Sequence, residues 1–384
     1  MTFAAPEALT AYLRGMLDGT GQGALRVGAV YRAVSLISGA VSSMPCHVKR
    51  RQGGARVDAE DHWSWDLLTR RPNGWQTPQQ WRRMLMTHLL LRGNAYCLKV
   101  GTPSRISALV PLMPDRMAVR QRDDLAIEYR YTRADGRQVD LAQGEVMHFV
   151  GLSLDGVTGV SVLAAAHATM AQALAVQRHG VSVFENATRI GGVLTHPGHL
   201  GGEALENLRR TLNAFRGADN AGGSLILEEG MKFEPIAMTM QDAQFVETAK
   251  LTRSEIYQFF GVPAPLAAAG DSPGGAAANI EALGAMFVTY TLNDWLVTLE
   301  ETIARDLFRA PSDRNLFVRF NRNSLVRGDI AARFQAYAVQ RQWGLATINE
   351  IRGLEDMNPI EGGDSLFAAG NAQRAAEDNR DDAA

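Results

Sequence analysis

Thr77-Pro78-Gln79-Gln80-Trp81-Arg82-Arg83-Met84-Leu85-Met86-Thr87-His88-Leu89-Leu90-Leu91-Arg92-Gly93-Asn94-Ala95-Tyr96-Cys97-Leu98-Lys99-Val100 passes from helix to strand across one residue pair. Thr77 suits an N-cap, with Pro78 at the first helical position, where its missing N–H is not needed. The helix predicted over 79–92 stops at Gly93-Asn94, two residues suited to a left-handed conformation. Tyr96, Leu98 and Val100 then alternate at strand spacing. With the strand candidates further on, residues 95–150 read as a β-rich unit following a helical pair.

Upstream, Val30, Val34, Ile37 and Val41 recur at three and four, which predicts an amphipathic helix from Val27. Met44-Pro45 stops it, Cys46 to Arg50 reads as a strand, and Gly53-Gly54 as the turn after it. His62 to Leu68 is a short helix ending before Pro72-Asn73-Gly74. Downstream, 106–112, 117–120, 127–132 and 146–150 are strand candidates, with Asp135-Gly136 a hairpin turn. Leu163, Met170, Leu174, Val181 and Phe184 predict one long helix from Gly159 to Asn186, about 37 Å at 1.5 Å per residue. A compact insertion follows Gly191-Gly192. Its helix carries Glu203 and Glu206 in the first turn and Arg216 in the last, as the helix dipole favours. Residues 224–228 and 231–234 read as a hairpin. Long helices are predicted over 241–260 and 279–308, a strand over 316–320, and a helix over 329–342. Thr347 and Glu350 have capping-box spacing at the start of a last short helix. Residues 1–23 read as a loose lead-in. The polar, Ala-rich chain from Gly370 onward is expected to be disordered.

The chain has 384 residues and a net charge of −2, so no global basic excess marks a broad phosphate-gripping surface. No apolar run is long enough to predict a transmembrane helix, and Met1 to Glu7 lacks a secretory pattern. Cys46 and Cys97 are too few and too far apart for a disulfide framework or a zinc motif. There is no P-loop, no dinucleotide-binding glycine motif, no His-Glu-x-x-His and no Gly-x-Ser-x-Gly. No catalytic residues, metal site or cofactor are therefore assigned. His196-Pro197-Gly198-His199 reads as a turn, and His167 as a packed histidine on an apolar helix face. Trp63, Trp65, Trp75 and Trp81 read as core or subunit interface. The pairs Arg70-Arg71 and Arg82-Arg83 read as solvated faces.

Ser254 to Ala304 contains no Lys or Arg over 51 residues, but does contain Glu255, Asp271, Glu281, Asp294, Glu300 and Glu301. Within it lies an Ala/Gly/Pro loop from Pro263 to Gly275.

The order of these parts resembles the HK97-like portal proteins of tailed bacteriophages. The motifs that carry the resemblance span about residues 27–370. They are Val30-Tyr31-Arg32-Ala33-Val34 through Met44-Pro45, Leu67-Leu68 with Arg71-Pro72-Asn73, Gly93-Asn94-Ala95-Tyr96, and Gly156 to Ser161. Phe260-Gly261-Val262-Pro263, Asn349-Glu350-Ile351-Arg352 and Gly362-Gly363-Asp364 complete the series. The resemblance implies an α+β portal fold: an arm (1–26), a β-rich wing (27–158, with its strand at 309–328), and stem helices (159–189 and 241–261). It further implies a small α/β clip (190–240), a tunnel loop (262–279), a long wing helix (280–308), a helical crown (329–370) and a disordered tail (371–384). The tunnel loop would include Pro263, Pro265, Gly270, Asp271, Ser272, Pro273, Gly274, Gly275 and Asn279. The clip would dock partners through Glu203, Glu206, Arg209, Arg210, Arg216, Glu228 and Glu229.

The implied protein is a non-enzymatic head–tail connector in a phage, prophage or gene transfer agent. It would form a ring, of twelve subunits by the family's habit, and would be assembled in the bacterial cytoplasm at the portal vertex of the virion. Its partners would be other copies of itself, the terminase large subunit, a head–tail adaptor, the major capsid protein and double-stranded DNA passing without sequence readout. No membrane partner is expected. The other readings are a head–tail adaptor ring and an enzyme with a mobile lid loop. Asn293 stands where the family often has proline, so no sharp kink is expected in the third long helix.

Overall fold

The computed structural model describes residues 24–102, 104–185, 192–195, 201–202, 206, 232–235, 240–267, 280–322, 325, 330–355 and 357–366. The chain divides into two units, 1–321 and 322–384. In the first, α1 (Gly28–Ser43) is followed by β1 (Cys46–Gln52), β2 (Ala55–Asp58), α2 (Trp63–Thr69) and α3 (Pro78–Arg92). Then come β3 (Asn94–Thr102), β4 (Arg105–Leu112), β5 (Met117–Gln121), β6 (Ile127–Thr132), β7 (Gln138–Leu141) and β8 (Val146–Val150).

The predicted apolar stripe of α1 is the one that is buried: Val30, Ile37 and Val41 are fully inside, and Val34 nearly so. They pack on α3, whose Leu85, Met86, Leu89 and Leu90 are also fully buried. Each such side chain contributes about 1.5–3 kcal/mol. Thr77 and Gln80 form a complete capping box at the start of α3, and Gly93 ends it in the left-handed region at φ 72°.

Arg82 departs from the expected solvated face. It is buried, and its guanidinium donates to the carbonyls of Ser42 (2.9 Å) and Leu68 (3.5 Å). Both carbonyls lie in the last turns of helices, α1 and α2, where backbone acceptors lack partners and the dipole is negative. One arginine thus caps two helix ends. Among the tryptophans, Trp81 is core, Trp63 and Trp65 are half-buried, and Trp75 is exposed.

Three small antiparallel sheets organise this region: β1 between β2 and β11 (Leu316–Phe320), β3 between β4 and β8, and β6 between β5 and β7. The strand β7 was not predicted. It follows the predicted turn, with Gly136 at φ 82°, and pairs with β6. Strand β11 (Leu316–Phe320) closes the first sheet, placing Phe320 opposite Cys46.

The predicted helix 159–186 is two pieces, α4 (Val162–Ala165) and α5 (His167–Glu185), with Ala166 at φ −88°, ψ 12° between them. This break takes His167 off the buried line of Leu163 and Met170. It is exposed, not packed. Strand β9 (Gly192–Thr195) pairs with β10 (Lys232–Pro235). Residues 224–228 and the His196–His199 pair lie outside the described residues. So do the lead-in 1–23 and the tail.

Helix α6 (Met240–Phe259) lies along α5 and is followed by the short α7 (Ala264–Ala267). The third long helix is built in three parts. α8 (Ile280–Met286) runs into π-helical turns at Phe287–Leu292, and α9 (Asn293–Leu307) continues. The helical backbone is continuous through these wider turns, with Met286 and Asn293 both in the right-handed helical region.

In the second unit, α10 (Ile330–Gln342) and α11 (Ile348–Leu354) are clamped by Glu355, which accepts hydrogen bonds from Arg333 and Tyr337. The predicted capping box of Thr347 and Glu350 is complete.

Candidate functional site

The end of α6 is built from Phe260-Gly261-Val262-Pro263. The Gly261 N–H donates to the Gln258 carbonyl (2.9 Å), and the Val262 N–H to the Tyr257 carbonyl (2.9 Å). This pair of bonds is a Schellman stop, and it requires a residue at positive φ. Gly261 supplies it at φ 67°. Val262 and Tyr257 are both buried, the apolar contact that accompanies such a stop, and Pro263 cannot continue the helix. The loop therefore leaves α6 in a defined direction.

Two further contacts fix its root. The Thr291 hydroxyl, in the π-helical turns, donates to the Gly261 carbonyl. Arg32 of α1 donates from Nε to the Ala267 carbonyl and from Nη2 to the Leu266 carbonyl, each at 3.4 Å. The lysine- and arginine-free segment thus has a cation at its root, supplied from elsewhere in the chain. Sequence reasoning noted Arg32 only as part of a helix motif, because nothing local links positions 32 and 267.

Of the predicted loop residues, Pro263 and Pro265 are described. Pro263 offers its carbonyl to the Leu266 N–H (3.0 Å) and opens α7, which contains Pro265. Gly270, Asp271, Ser272, Pro273, Gly274, Gly275 and Asn279 lie outside the described residues. Of the docking residues, Glu206 is described and exposed. Glu203, Arg209, Arg210, Arg216, Glu228 and Glu229 lie outside the described residues.

A second constellation sits where α3, β3 and α4 meet. The Asn94 amide pairs with both backbone groups of Gly159: Oδ1 accepts from the Gly159 N–H (2.8 Å), and Nδ2 donates to its carbonyl (2.9 Å). Oδ1 is also 3.0 Å from His148 Nε2. Space admits only glycine at two positions. A Cβ on Gly159 would lie 1.9 Å from the Gly93 carbonyl oxygen, and one on Gly93 would lie 2.4 Å from that of Val160. Ser161 then caps α4, accepting from the Ala164 N–H while donating to the Leu91 carbonyl (2.8 Å).

His148 stacks on Tyr96 with ring centroids 4.4 Å apart, and its Nδ1 meets the Tyr129 hydroxyl at 3.2 Å. Burial and the nearby Arg305 push its pKa down to about 4, so the ring is neutral. With Nδ1 accepting from the tyrosine, Nε2–H donates to Asn94. Beside it, Asp306 is buried and holds Lys99 (3.4 Å), Arg309 (2.8 Å) and Arg305 (2.9 Å), tying α9 to β3. In the loop before α4, Asp155 accepts from the N–H groups of Val157 and Thr158 and the hydroxyls of Thr158 and Ser153. These bonds hold its carboxyl well below the usual range.

Cys46 and Cys97 are buried, with thiols pushed up to about 12. The polar groups bind backbone and one another, as joints do. Among the described residues, no group of His, Cys, Asp and Glu is arranged to hold a metal ion. Nor is any helix there long and apolar enough to cross a membrane.

These are the joints of a structural subunit, and the comparisons agree. Residues 28–356 match the phage portal protein family, and the chain belongs to that family. It is 30% identical over 350 residues to a probable portal protein of Streptomyces phage phiC31, covering 88% of this chain and 76% of that one. It is also 30% identical over 349 residues to the portal protein of Enterobacteria phage HK97, covering 88% and 81%. Among solved structures, it is similar to a chain from the neck of an empty gene transfer agent particle computed with C6 symmetry. That match has a TM-score of 0.64 and 26% identity, and covers 88% of this chain and 93% of the other. Portal identity is favoured over the adaptor and lid-enzyme readings, and the family is structural rather than catalytic.

Proposed function

We propose that the chain is the repeating subunit of a portal ring at one vertex of a virion, and that the 262–279 loop lines the channel through which duplex DNA moves. The observation that carries this reading is the pairing of a firmly rooted loop with a segment free of lysine and arginine. Phosphate contacts from those residues release counterions and hold DNA tightly. A constriction without them lets the duplex slide, while Gly261, Thr291 and Arg32 keep the root in register. Arg32 gives two of its N–H groups to the backbone carbonyls of Leu266 and Ala267.

In this reading, 27–158 and 309–328 form the wing, with 280–308 its long helix. Residues 159–189 and 241–261 are the stem, and 329–370 the crown. The 190–240 clip meets the terminase large subunit and then a head–tail adaptor, and the major capsid protein surrounds the ring. Assembly takes place in the bacterial cytoplasm. A ring requires a heterologous interface that closes on itself. Support comes from the membership of the family and from the neck assembly to which the structural relative belongs.

Mass photometry tests the ring directly: twelve chains of 41.8 kDa give roughly 500 kDa. A species near the single-chain mass under assembly conditions would count against it. The loop is tested by Asp271→Lys with Ser272→Lys. Slower DNA filling is expected, and unchanged filling in assembled particles would sink the sliding-surface reading.

A further inference from the structure

The sheet β11-β1-β2 has two unlike faces. Cys46, Val48, Leu316, Val318 and Phe320 point inward and are buried. The strand register places the alternate residues together on the other side: His47 opposite Arg319, Lys49 between Phe317 and Asp58, and Arg51 opposite Arg56. The contacts agree with the register. Lys49 lies 2.9 Å and His47 3.5 Å from Asp58, and the guanidinium carbons of Arg51 and Arg319 lie 5.4 and 6.0 Å from the Phe317 ring centroid.

We propose that this outer sheet face is a second DNA contact, a phosphate-gripping surface for duplex DNA separate from the loop. Its charged groups are Lys49, Arg51, Arg56 and Arg319, against Asp58 and the Glu300 carboxylate that reaches Arg319 (2.9 Å). A surplus of positive charge therefore stands on a chain whose net charge is −2. Arg51 and Arg56 are exposed, and among the described residues neither has a carboxylate partner. Arg51 stacks on Phe317, and its planar fork matches phosphate oxygens in pairs.

An acidic protein is the other source of negative charge, and polyglutamate stands in for it in the test. Phe317 lies beneath the guanidinium groups of Arg51 and Arg319, and Trp65 packs edge-on against His47 with ring centroids 5.6 Å apart. Four cations against two carboxylates fit the repeated charges of a phosphate backbone. The proposal rests on the portal reading for the presence of duplex DNA, and it sets a gripping surface against a sliding one in the same subunit.

The test uses the assembled full-length protein and a labelled 30-base-pair duplex, with binding followed by fluorescence anisotropy between 50 and 200 mM salt. The double variant Arg51→Gln/Arg56→Gln is expected to lose about tenfold in affinity at low salt. The slope of log affinity against log salt should flatten by about two, one for each lost phosphate contact. Arg51→Lys keeps the charge and should keep the slope. Unchanged affinity and slope in the double variant overturn the proposal. So does a loss of polyglutamate binding with duplex binding intact, since that would assign the face to an acidic protein. Mass photometry of the same samples reads the ring independently. An intact ring with unchanged DNA binding removes this inference and leaves the portal reading standing.

Discussion

Asn94 and Asn349 do the same work in two different settings. Each side-chain amide imitates a peptide group and holds a glycine-containing segment that the backbone alone would leave loose. Asn94 binds both backbone groups of Gly159 at the start of the α4–α5 helix pair, and it is itself held by a neutral, buried His148. Asn349 accepts from the Ile360 N–H (2.8 Å) and donates to the Ile360 carbonyl (3.0 Å) and to Asp364 (2.9 Å), while its own N–H reaches the Gly363 carbonyl (3.0 Å). The obstacles differ. A Cβ on Gly159 would strike the backbone of Gly93 at 1.9 Å, whereas one on Gly363 would strike the Asn349 side chain at 2.4 Å. Backbone cannot yield, but a side chain, even the half-buried Asn349, can change rotamer. The first joint is therefore rigid, and the second can open.

The comparison breaks most sharply at Gly159. Gly159→Ala should cost at least about 3 kcal/mol, because the clash separates α3 from α4. Thermal unfolding would show it, and a variant melting within a few degrees of the parent would mean the joint is softer than its geometry. Asn94→Ala removes the partners of Gly159 and His148 together and should cost about 2–4 kcal/mol. Denaturant titration measures this, and the loss should exceed that of Asn349→Ala in the same background.

His148 sharpens the contrast through pH. Its folded pKa lies near 4, below the free value of 6.5. Above pH 6.5 the ring is neutral in both states. As pH falls from 6.5 toward 4, the unfolded chain takes up a proton that the folded chain refuses. Stability is then lost at a rate approaching about 1.4 kcal/mol per pH unit. His88, lowered to about 4 by burial, adds a parallel loss. His148→Gln should flatten the fall in melting temperature by about half, and an unchanged profile would show that other groups dominate.

The smallest effect is expected at the Asn349 joint. Asn349→Ala should cost about 0.5–1.5 kcal/mol. Hydrogen exchange should quicken in peptides covering 347–366 but not in those covering 94–160. Faster exchange in both would mean that the two joints are coupled.

Much of the fold could be read locally. The capping boxes at Thr77 and Thr347, the stripe of α1 and the stops at Gly93 and Gly261 are signals written within one or two turns of chain. Features that depend on distant partners were missed. Arg82 reads as a surface residue because the two helix ends it caps lie 14 and 40 positions away. Strand β7 is too short and too polar to stand out without β6 beside it. The π-helical turns at Phe287–Leu292 carry no proline or glycine to announce them. Of the candidate site, the glycine and proline of the loop root were legible. The Arg32 and Thr291 contacts were not, since their partners are backbone carbonyls without a sequence signature.

Strand β1 has its own consequence for how the chain is made. Its partner β11 begins about 270 positions later, so on a ribosome adding 5–20 residues per second β1 waits roughly 15–50 s with one side unpaired. An open strand edge is a template for pairing with the wrong chain. Its density of Lys49, Arg50 and Arg51 supplies mutual repulsion between nascent copies during that interval. Chains truncated before residue 316 should therefore aggregate through this edge, and early termination should be more damaging to yield than its position near the C-terminus suggests.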